Sequence, residues 1–381
     1  MEKKTFKVAL IGCGAISKIY FESIKENFSI LEIVACSDLD KERMNKAAET
    51  YGVKAMTFEE ILADPEIDMI LNLTNPVAHY PLNKAALEAG KHVWCEKMIA
   101  VELEQGKELV ELAEKKGVRL GVAPDTFLGS AIQTARYILD HGLIGKPLSF
   151  VATISRDYDV YGQILPHLLK RGGGILFDMG GYYLTAMASL FGPVREVAAF
   201  TTTNEPDRLG SRVDRDMSTF NVPYHTEDSN VVVSSLKYDN GVLGTFHLTS
   251  DCLYSETTGI TVYGTEGIMY MANPNNFGGE VRIKKLRSDE FVFPATHGYD
   301  KNSRGIGPAE MAWSILANRM HRGNMYMAYN VFETAHAIER SSAEKKVVKL
   351  ESTFETPKPL PAGFISNGSF FSPMAESALA K

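Results

Sequence analysis

The sequence predicts an α/β domain built on a parallel sheet, followed by an α+β domain whose large, mainly antiparallel sheet is open on one face. Three observations lead there. The first third alternates short apolar runs with amphipathic ones across short connections, the pattern of βαβ units. After about Pro124 the strand-like runs fold back at glycine turns, as antiparallel hairpins do. At 381 residues the chain is also long for a single core. The boundaries that follow are 1–124, 125–355 and a Pro-rich extended tail at 356–381.

Taken in order, strands are expected at residues 6–11, 32–36, 68–73, 91–95 and 119–122, with helices at 16–26, 41–51, 81–88 and 102–116. Two of these helices stop at glycines, Gly90 and Gly117, which suit a left-handed helix end. In the second domain, strands at 148–156 and 194–203 flank a helix at 176–191. Two hairpins follow. The first, 230–250, turns about Asp239, Asn240 and Gly241, an Asn-Gly pair whose backbone suits twisted strands. The second, 259–271, turns between Gly264 and Gly267. Helical patterns return at 308–319 and 327–340, ahead of a last strand at 346–350.

Composition excludes several classes. Apolar residues make up 45% and charged ones 23%, with no biased tract. A net charge of -7 and a pI near 5.8 leave no electrostatic footprint for nucleic acid or an anionic membrane. The four cysteines, Cys13, Cys36, Cys95 and Cys252, form no CxxC or CxxH pair, so neither a disulfide framework nor a metal site is expected. Lys7 and the run LIGC at 10–13 imitate a lipoprotein cleavage box. A signal peptide, however, needs an apolar core of roughly 7 to 15 residues, and only 8–12 is available. A cytoplasmic protein without a membrane span is the expectation.

The same stretch, KVALIGCGAIS at 7–17, has a second reading. A strand ending at Gly12 and a helix opening near Ala15 and Ile16 would aim unpaired backbone amides at an anion, and Gly12, Cys13 and Gly14 would let a pyrophosphate approach. An ordinary tight turn is the alternative. The third glycine of a GxGxxG fingerprint is replaced by Ser17, where a small residue suffices for helix-to-strand packing. Asp38 closes the second strand about 20 residues beyond the loop, where a carboxylate accepts both ribose hydroxyls of NAD and repels the extra phosphate of NADP. NAD is therefore expected ahead of NADP, with Arg43 the nearest arginine. Capping of the following helix is the other use for Asp38, and the better one for Asp40.

The strands at 68–73 and 91–95 end in polar residues, at the sheet edge where open α/β sheets bind ligands. Asn72, Thr74, Asn75 and Pro76 are candidates for the nicotinamide side of such a cleft, and His79 for the same region or for a solvated helix start. Glu96 and Lys97 directly follow a buried strand, where charges must pair or face a ligand.

Gly12, Gly14, Asp38, Glu96 and Lys97, followed by GGGILFDMGGYYL at 172–184, resemble the Gfo/Idh/MocA oxidoreductases, named for glucose-fructose oxidoreductase, inositol dehydrogenase and a rhizopine-catabolism protein. The resemblance covers nearly the whole chain. APDTFLGS at 123–130 and RGIGPAEMA at 304–312 are similar to one bacterial branch of it. The family's EKP signature stands here as Glu96, Lys97, Met98. In its GGGxLxDxGxHxxD signature, Asp178 and Gly180 match, Tyr182 replaces the frequent histidine, as in some branches, and Thr185 replaces the last aspartate.

The resemblance implies that Lys97 contacts the nicotinamide ribose and the substrate hydroxyl, that Tyr182 is the acid/base, and that Asp178 positions the hydroxyl or Lys97. Free tyrosine has a pKa of about 10, so a nearby lysine would help it act at neutral pH. For Asp178 the alternative is a helix cap, and for Tyr182 packing against Phe177 and Tyr183. Asp125, Arg156, Tyr161 and His167, with Asp157, Tyr158, Gln163 and Lys170 around them, are candidates for holding a polyol or sugar. The implied activity is hydride transfer between NAD and a sugar, cyclitol or related hydroxy compound. An NAD-dependent glycosidase working by transient oxidation and a non-catalytic dinucleotide sensor are the alternatives. The open sheet face predicts self-association, and the resemblance implies a homodimer or homotetramer.

Overall fold

The computed structural model describes residues 5–157, 165–210, 220–252 and 259–361. A six-stranded parallel sheet comes first, in the order β3-β2-β1-β4-β5-β6. Its strands are β1 (Phe6–Ile11), β2 (Leu31–Ser37), β3 (Lys54–Ala55), β4 (Met69–Asn72), β5 (His92–Cys95) and β6 (Leu120–Val122). The four residues of β4 are all buried, as in a sheet covered on both faces. Strand order reverses between β1 and β4, which opens a crevice beyond their carboxyl ends.

The helices between the strands are α1 (Ser17–Asn27), α2 (Lys41–Tyr51), α3 (Phe58–Ala63), α4 (Pro76–Glu88) and α5 (Leu103–Lys116). Helix α4 starts well before the expected residue 81. Pro76 occupies its first turn, where a missing N–H costs nothing, while Pro81 sits inside it. The sequence reading passed over β3 and α3. A capping box announces α3: Glu60 N donates to Thr57 Oγ1 at 3.2 Å, and Thr57 N donates back to Glu60 Oε2 at 2.8 Å.

The second sheet has nine strands in the order β16-β15-β14-β13-β7-β12-β11-β8-β17. They are β7 (Pro147–Ser155), β8 (Val194–Thr202), β11 (Val231–Tyr238), β12 (Leu243–Thr249), β13 (Gly259–Gly264), β14 (Gly267–Met271), β15 (Val281–Lys285), β16 (Phe291–Phe293) and β17 (Val348–Lys349). A separate short pair, β9 (Asp207–Leu209) and β10 (Pro223–His225), stands apart. Both expected hairpins form, β11 with β12 and β13 with β14. Every neighbouring pair in the large sheet is antiparallel except β12 with β7. Those two strands are remote in sequence, so no turn could announce their pairing.

Helices α6 (Ser130–Asp140), α7 (Met179–Phe191) and α9 (Met325–Glu344) pack on one face of this sheet. Among the described residues no helix covers the other face, and β11 shows it: Val232, Leu236 and Tyr238 are buried while Val233 is exposed. Between β16 and α9, helix α8 (Ile306–Leu316) returns to the first sheet and packs on β6. Gly121, Gly307 and Gly323, from β6, α8 and the loop before α9, all press on the buried indole of Trp94, and a Cβ on any of them would overlap it. Three separate segments thus close over the strand that leads to Lys97.

The described part of the tail, through Pro361, is extended and held down. Arg322 Nε donates to the Lys358 carbonyl (2.8 Å), its Nη2 to the Pro359 carbonyl (3.0 Å), and Leu360 N to Gln133 Oε1 (2.8 Å). No helix among the described residues is long and apolar enough to cross a membrane. Among the same residues no cluster of His, Cys, Asp and Glu could hold a metal ion.

Candidate active site

A cleft of about 420 Å³ opens at the crevice of the first sheet and is closed on its far side by α7 and the glycine run before it. On one side lies the β1–α1 loop. Gly12 has φ +93°, and a Cβ there would press on the Leu73 carbonyl at 2.9 Å, so glycine is required twice over. Around the Cβ position of Gly14 nothing lies within 4 Å. The amides of Ala15 and Ile16 have no acceptor among the described residues. An open approach and free amides at a helix start fit a dinucleotide pyrophosphate. Ser17 replaces the third glycine without loss of packing: it is buried, and its hydroxyl donates to the Gly14 carbonyl at 2.7 Å.

Asp38 lies beside the loop, as expected, and accepts from the Cys13 amide at 2.7 Å. Arg43, left at a distance by the sequence reading, grips it with two donors, Nε to Oδ2 at 3.0 Å and Nη2 to Oδ1 at 2.6 Å. Burial pushes the Asp38 carboxyl up, but Arg43 and the amides of Asp40 and Cys13 outweigh it and hold the group below its ordinary value. The N-cap reading falls to Asp40, whose Oδ1 accepts from Glu42 N and Arg43 N. An anionic Asp38 favours ribose hydroxyls, yet removing it would release Arg43 for a phosphate. Asp38→Ser should therefore shift the NAD-to-NADP ratio of kcat/KM towards NADP by at least about tenfold, the worth of roughly 1.4 kcal/mol. Unchanged ratios in steady-state kinetics would refute this.

Beyond β4 and β5 the expected residues divide into two groups. Thr74, Asn75, Pro76, Glu96 and Lys97 line the cleft. Asn72 and His79 do not, and the expectation that they touch cofactor is corrected. Asn72 is fully buried, donates to Asn83 Oδ1 and accepts from Thr74 Oγ1 at 2.6 Å. His79 is equally buried, with Nδ1 2.7 Å from the Met98 carbonyl and Nε2 2.9 Å from the Thr74 carbonyl. It ties together the two loops that carry Thr74 and Lys97. Burial holds its pKa down despite those two carbonyls.

Lys97 Nζ donates to Asp178 Oδ1 at 2.6 Å and stands 4.8 Å from the centroid of the Tyr182 ring. Burial would lower the lysine pKa, but the Asp178 carboxylate, then Tyr182 and Glu96, overcome it and raise it. Lys97 is thus a fixed cation at neutral pH. The Lys97–Met98 peptide, at the position of the missing proline, is cis. Asp178 precedes α7 but makes no capping bond with its side chain, which goes to Lys97 instead. Glu96 accepts from the hydroxyl of Tyr20, an α1 residue absent from the sequence reading.

The Gly172–Gly174 run brings Asp178 and Tyr182 to the cleft. Gly172 has φ +77°, and Gly174 N donates to the buried carboxylate of Asp228 at 3.0 Å. Tyr182 is buried but for its edge on the cleft, and its hydroxyl accepts from Arg304 Nη2 at 3.4 Å. Of the expected substrate contacts, His167 lines the cleft, with its pKa lowered chiefly by burial. Arg156 directly follows β7, near the buried Tyr183, and is not among the cleft residues. Tyr161, with Tyr158 and Gln163, lies outside the described residues. Asp125 is corrected: it is fully buried and accepts from the amides of Gly305 (2.9 Å) and Gly307 (3.1 Å). Burial pushes its pKa up to about 6, against the pull of Arg304 and those amides. Its job is to pin the loop that carries Arg304.

With this geometry in place, two family models match the chain. Residues 6–123 match the "Oxidoreductase family, NAD-binding Rossmann fold", and residues 132–270 match the "GFO/IDH/MocA C-terminal domain". The chain belongs to the Gfo/Idh/MocA oxidoreductases. Its first sheet is the family's NAD-binding Rossmann fold. It is 31% identical over 202 residues to D-apiose dehydrogenase of Paraburkholderia graminis, covering 52% of this chain and 53% of that one. It is 29% identical over 259 residues to 1,5-anhydro-D-fructose reductase of Ensifer adhaerens, covering 64% and 68% respectively. The match thus spans about half the length of D-apiose dehydrogenase. Levoglucosan dehydrogenase in complex with NADH has the same fold, at a TM-score of 0.77 and 20% identity over 92% of this chain and all of that one.

Proposed function

We propose that this Gfo/Idh/MocA protein is an NAD-dependent dehydrogenase or reductase acting on an alcohol carbon of a sugar, cyclitol or related hydroxy compound. The observation that carries the reading is the Lys97–Asp178–Tyr182 cluster in the same cleft as the β1–α1 loop. The named activities of D-apiose dehydrogenase, 1,5-anhydro-D-fructose reductase and an inositol 2-dehydrogenase support it by analogy. The chemistry supplied by bound NAD is acceptance of a hydride from the alcohol carbon. Gly14, Ala15 and Ile16 would hold its pyrophosphate and Asp38 its adenosine ribose. Tyr182 takes the hydroxyl proton as the carbonyl forms. Lys97, cationic and fixed by Asp178, stabilises the negative charge that develops on the reacting oxygen.

The test is a panel of sugars and polyols incubated with NAD or NADP, followed by absorbance of the reduced cofactor. Product without net NADH would favour the glycosidase reading, and NADH binding without any turnover a sensor.

We also propose that the bare face of the nine-stranded sheet is a self-association surface. Phe200 and Val233 pair across β8 and β11, and Val151 and Tyr263 are exposed on the neighbouring strands β7 and β13; apolar side chains grouped on one exposed face mark an interaction surface. The double variant Phe200→Asp, Val233→Lys should convert a homodimer or homotetramer to monomer. Light scattering that finds a wild-type monomer at micromolar concentration would refute the surface.

A further inference from the structure

Two stretches that the sequence sets apart, APDTFLGS at 123–130 and RGIGPAEMA at 304–312, take no part in the reaction described above, yet they meet behind Tyr182. Asp125, from the first, accepts the amides of Gly305 and Gly307 and so fixes the start of the second. That stretch opens with Arg304, whose guanidinium does not line the cleft and is largely enclosed, 5.9 Å from the centroid of the Phe277 ring. Nη1 donates to Asn302 Oδ1 at 2.8 Å, and Nη2 donates to the Tyr182 hydroxyl at 3.4 Å. Among the described residues it makes no ion pair: Glu96 is bonded to Tyr20 and Asp125 to the two amides, so their charges reach it only from farther off. Burial works against the guanidinium's charge, but Tyr182, then Glu96, Tyr20 and Asp125, outweigh it and raise its pKa. Arg304 is therefore a donor throughout and takes up no proton itself.

We propose that Arg304 is a positioning residue for Tyr182, holding the phenol oxygen from behind so that its proton and its second lone pair face the cleft. This rests on the dehydrogenase reading above. An imidazole is oriented by a bond to its second nitrogen, but a phenol has a single polar atom, so whatever orients its hydroxyl must bond that oxygen. A hydroxyl carries one proton and two lone pairs, and a guanidinium can only donate. Once Nη2 takes one lone pair, the other pair and the proton are turned away from Arg304, and the open side of Tyr182 is its edge on the cleft. In the forward step hydride leaves the alcohol carbon for the nicotinamide, the substrate's O–H proton passes to the Tyr182 oxygen acting as phenolate, and Arg304 keeps all of its protons. A bond to a charged oxygen is about twice as strong as one to a neutral oxygen, so its loss falls on the step in which that oxygen is charged. Lys97 faces the ring of Tyr182 and Arg304 its oxygen, so the two cations act at different points.

The experiment is a double-mutant cycle on whichever sugar or polyol of the panel above the wild type oxidises fastest. Wild type, Arg304→Met, Arg304→Lys, Tyr182→Phe and the double variant Tyr182→Phe, Arg304→Met are compared by steady-state kinetics and by single turnovers with enzyme in excess. Arg304→Met should slow NADH formation by about 10- to 100-fold, and Arg304→Lys should recover part of the rate. KM and the Kd for NADH should stay within about threefold of wild type, since the bond acts on the reacting step. In the Tyr182→Phe background the same substitution should cost less than about twofold, because the oxygen through which Arg304 acts is gone. A general loosening of the fold would instead lower both backgrounds alike. Turnover that survives in Arg304→Met, or a loss of equal size with and without the Tyr182 oxygen, would overturn the positioning role and leave the dehydrogenase reading standing. A wild type that reduces NAD with no member of the panel would overturn both.

Discussion

Replacing Lys97 by alanine should lower kcat by about a thousandfold or more while leaving the Kd for NADH within about tenfold of wild type. The expectation follows from how the ammonium is held. It is mostly buried, bonded to Asp178 at 2.6 Å and 4.8 Å from the Tyr182 ring, with its pKa raised, so in the proposed reaction it would bring a permanent charge to the reacting oxygen. The β1–α1 loop and Asp38, which would hold the other end of the dinucleotide in the proposed reading, are untouched by the change. Removal also leaves the Asp178 carboxylate without its cation in a partly buried place, at a cost on the order of 3 kcal/mol. Thermal unfolding should register that loss, and kinetics should be measured well below the new midpoint. An alanine variant within tenfold of the wild-type rate would sink the assignment of Lys97.

Tyr182→Phe should lower kcat by about 100- to 10,000-fold, the range for losing a positioned proton acceptor. This substitution is cleaner, because the ring that Lys97 faces remains and only the oxygen is lost. Thermal stability and NADH binding are expected to stay close to wild type. If the phenylalanine variant turned over normally, the proton would have to leave by another group. His167 is the next candidate lining the cleft, and its lowered pKa keeps it neutral and able to accept at pH 7.

The sequence made the frame of the first domain legible because its strands are apolar, closely spaced and punctuated by glycines. It made Lys97, Asp178 and Tyr182 legible as candidates because each falls in a short motif, and the fold brings all three to one cleft. It misassigned Asn72, His79 and Asp125 for a single reason. A polar residue at a strand end, or in the helix or turn just beyond it, reads the same whether it faces a ligand or satisfies buried polar groups, and only burial separates the two: all three are fully enclosed. It missed Tyr20, Asp228 and Arg304 for a different one. Each meets its partner from a segment more than 40 residues away, Tyr20 to Glu96, Asp228 to Gly174 and Arg304 to Tyr182. Spacing carries no trace of such a meeting. Arg43 fell between these cases: close in sequence to Asp38, it became relevant only when the turn into α2 folded its guanidinium back.

The glycine cage around Trp94 makes the protein its own optical gauge. The chain has two tryptophans, and this one ends two residues before Glu96, clamped by β6, α8 and the loop ahead of α9. Its emission should be that of an indole shut away from water, and any loosening of the three segments would admit solvent and shift the emission to the red before the rest of the fold gives way. A Trp313→Phe background would isolate that signal, so that events beneath the cleft could be followed in real time without attaching a dye.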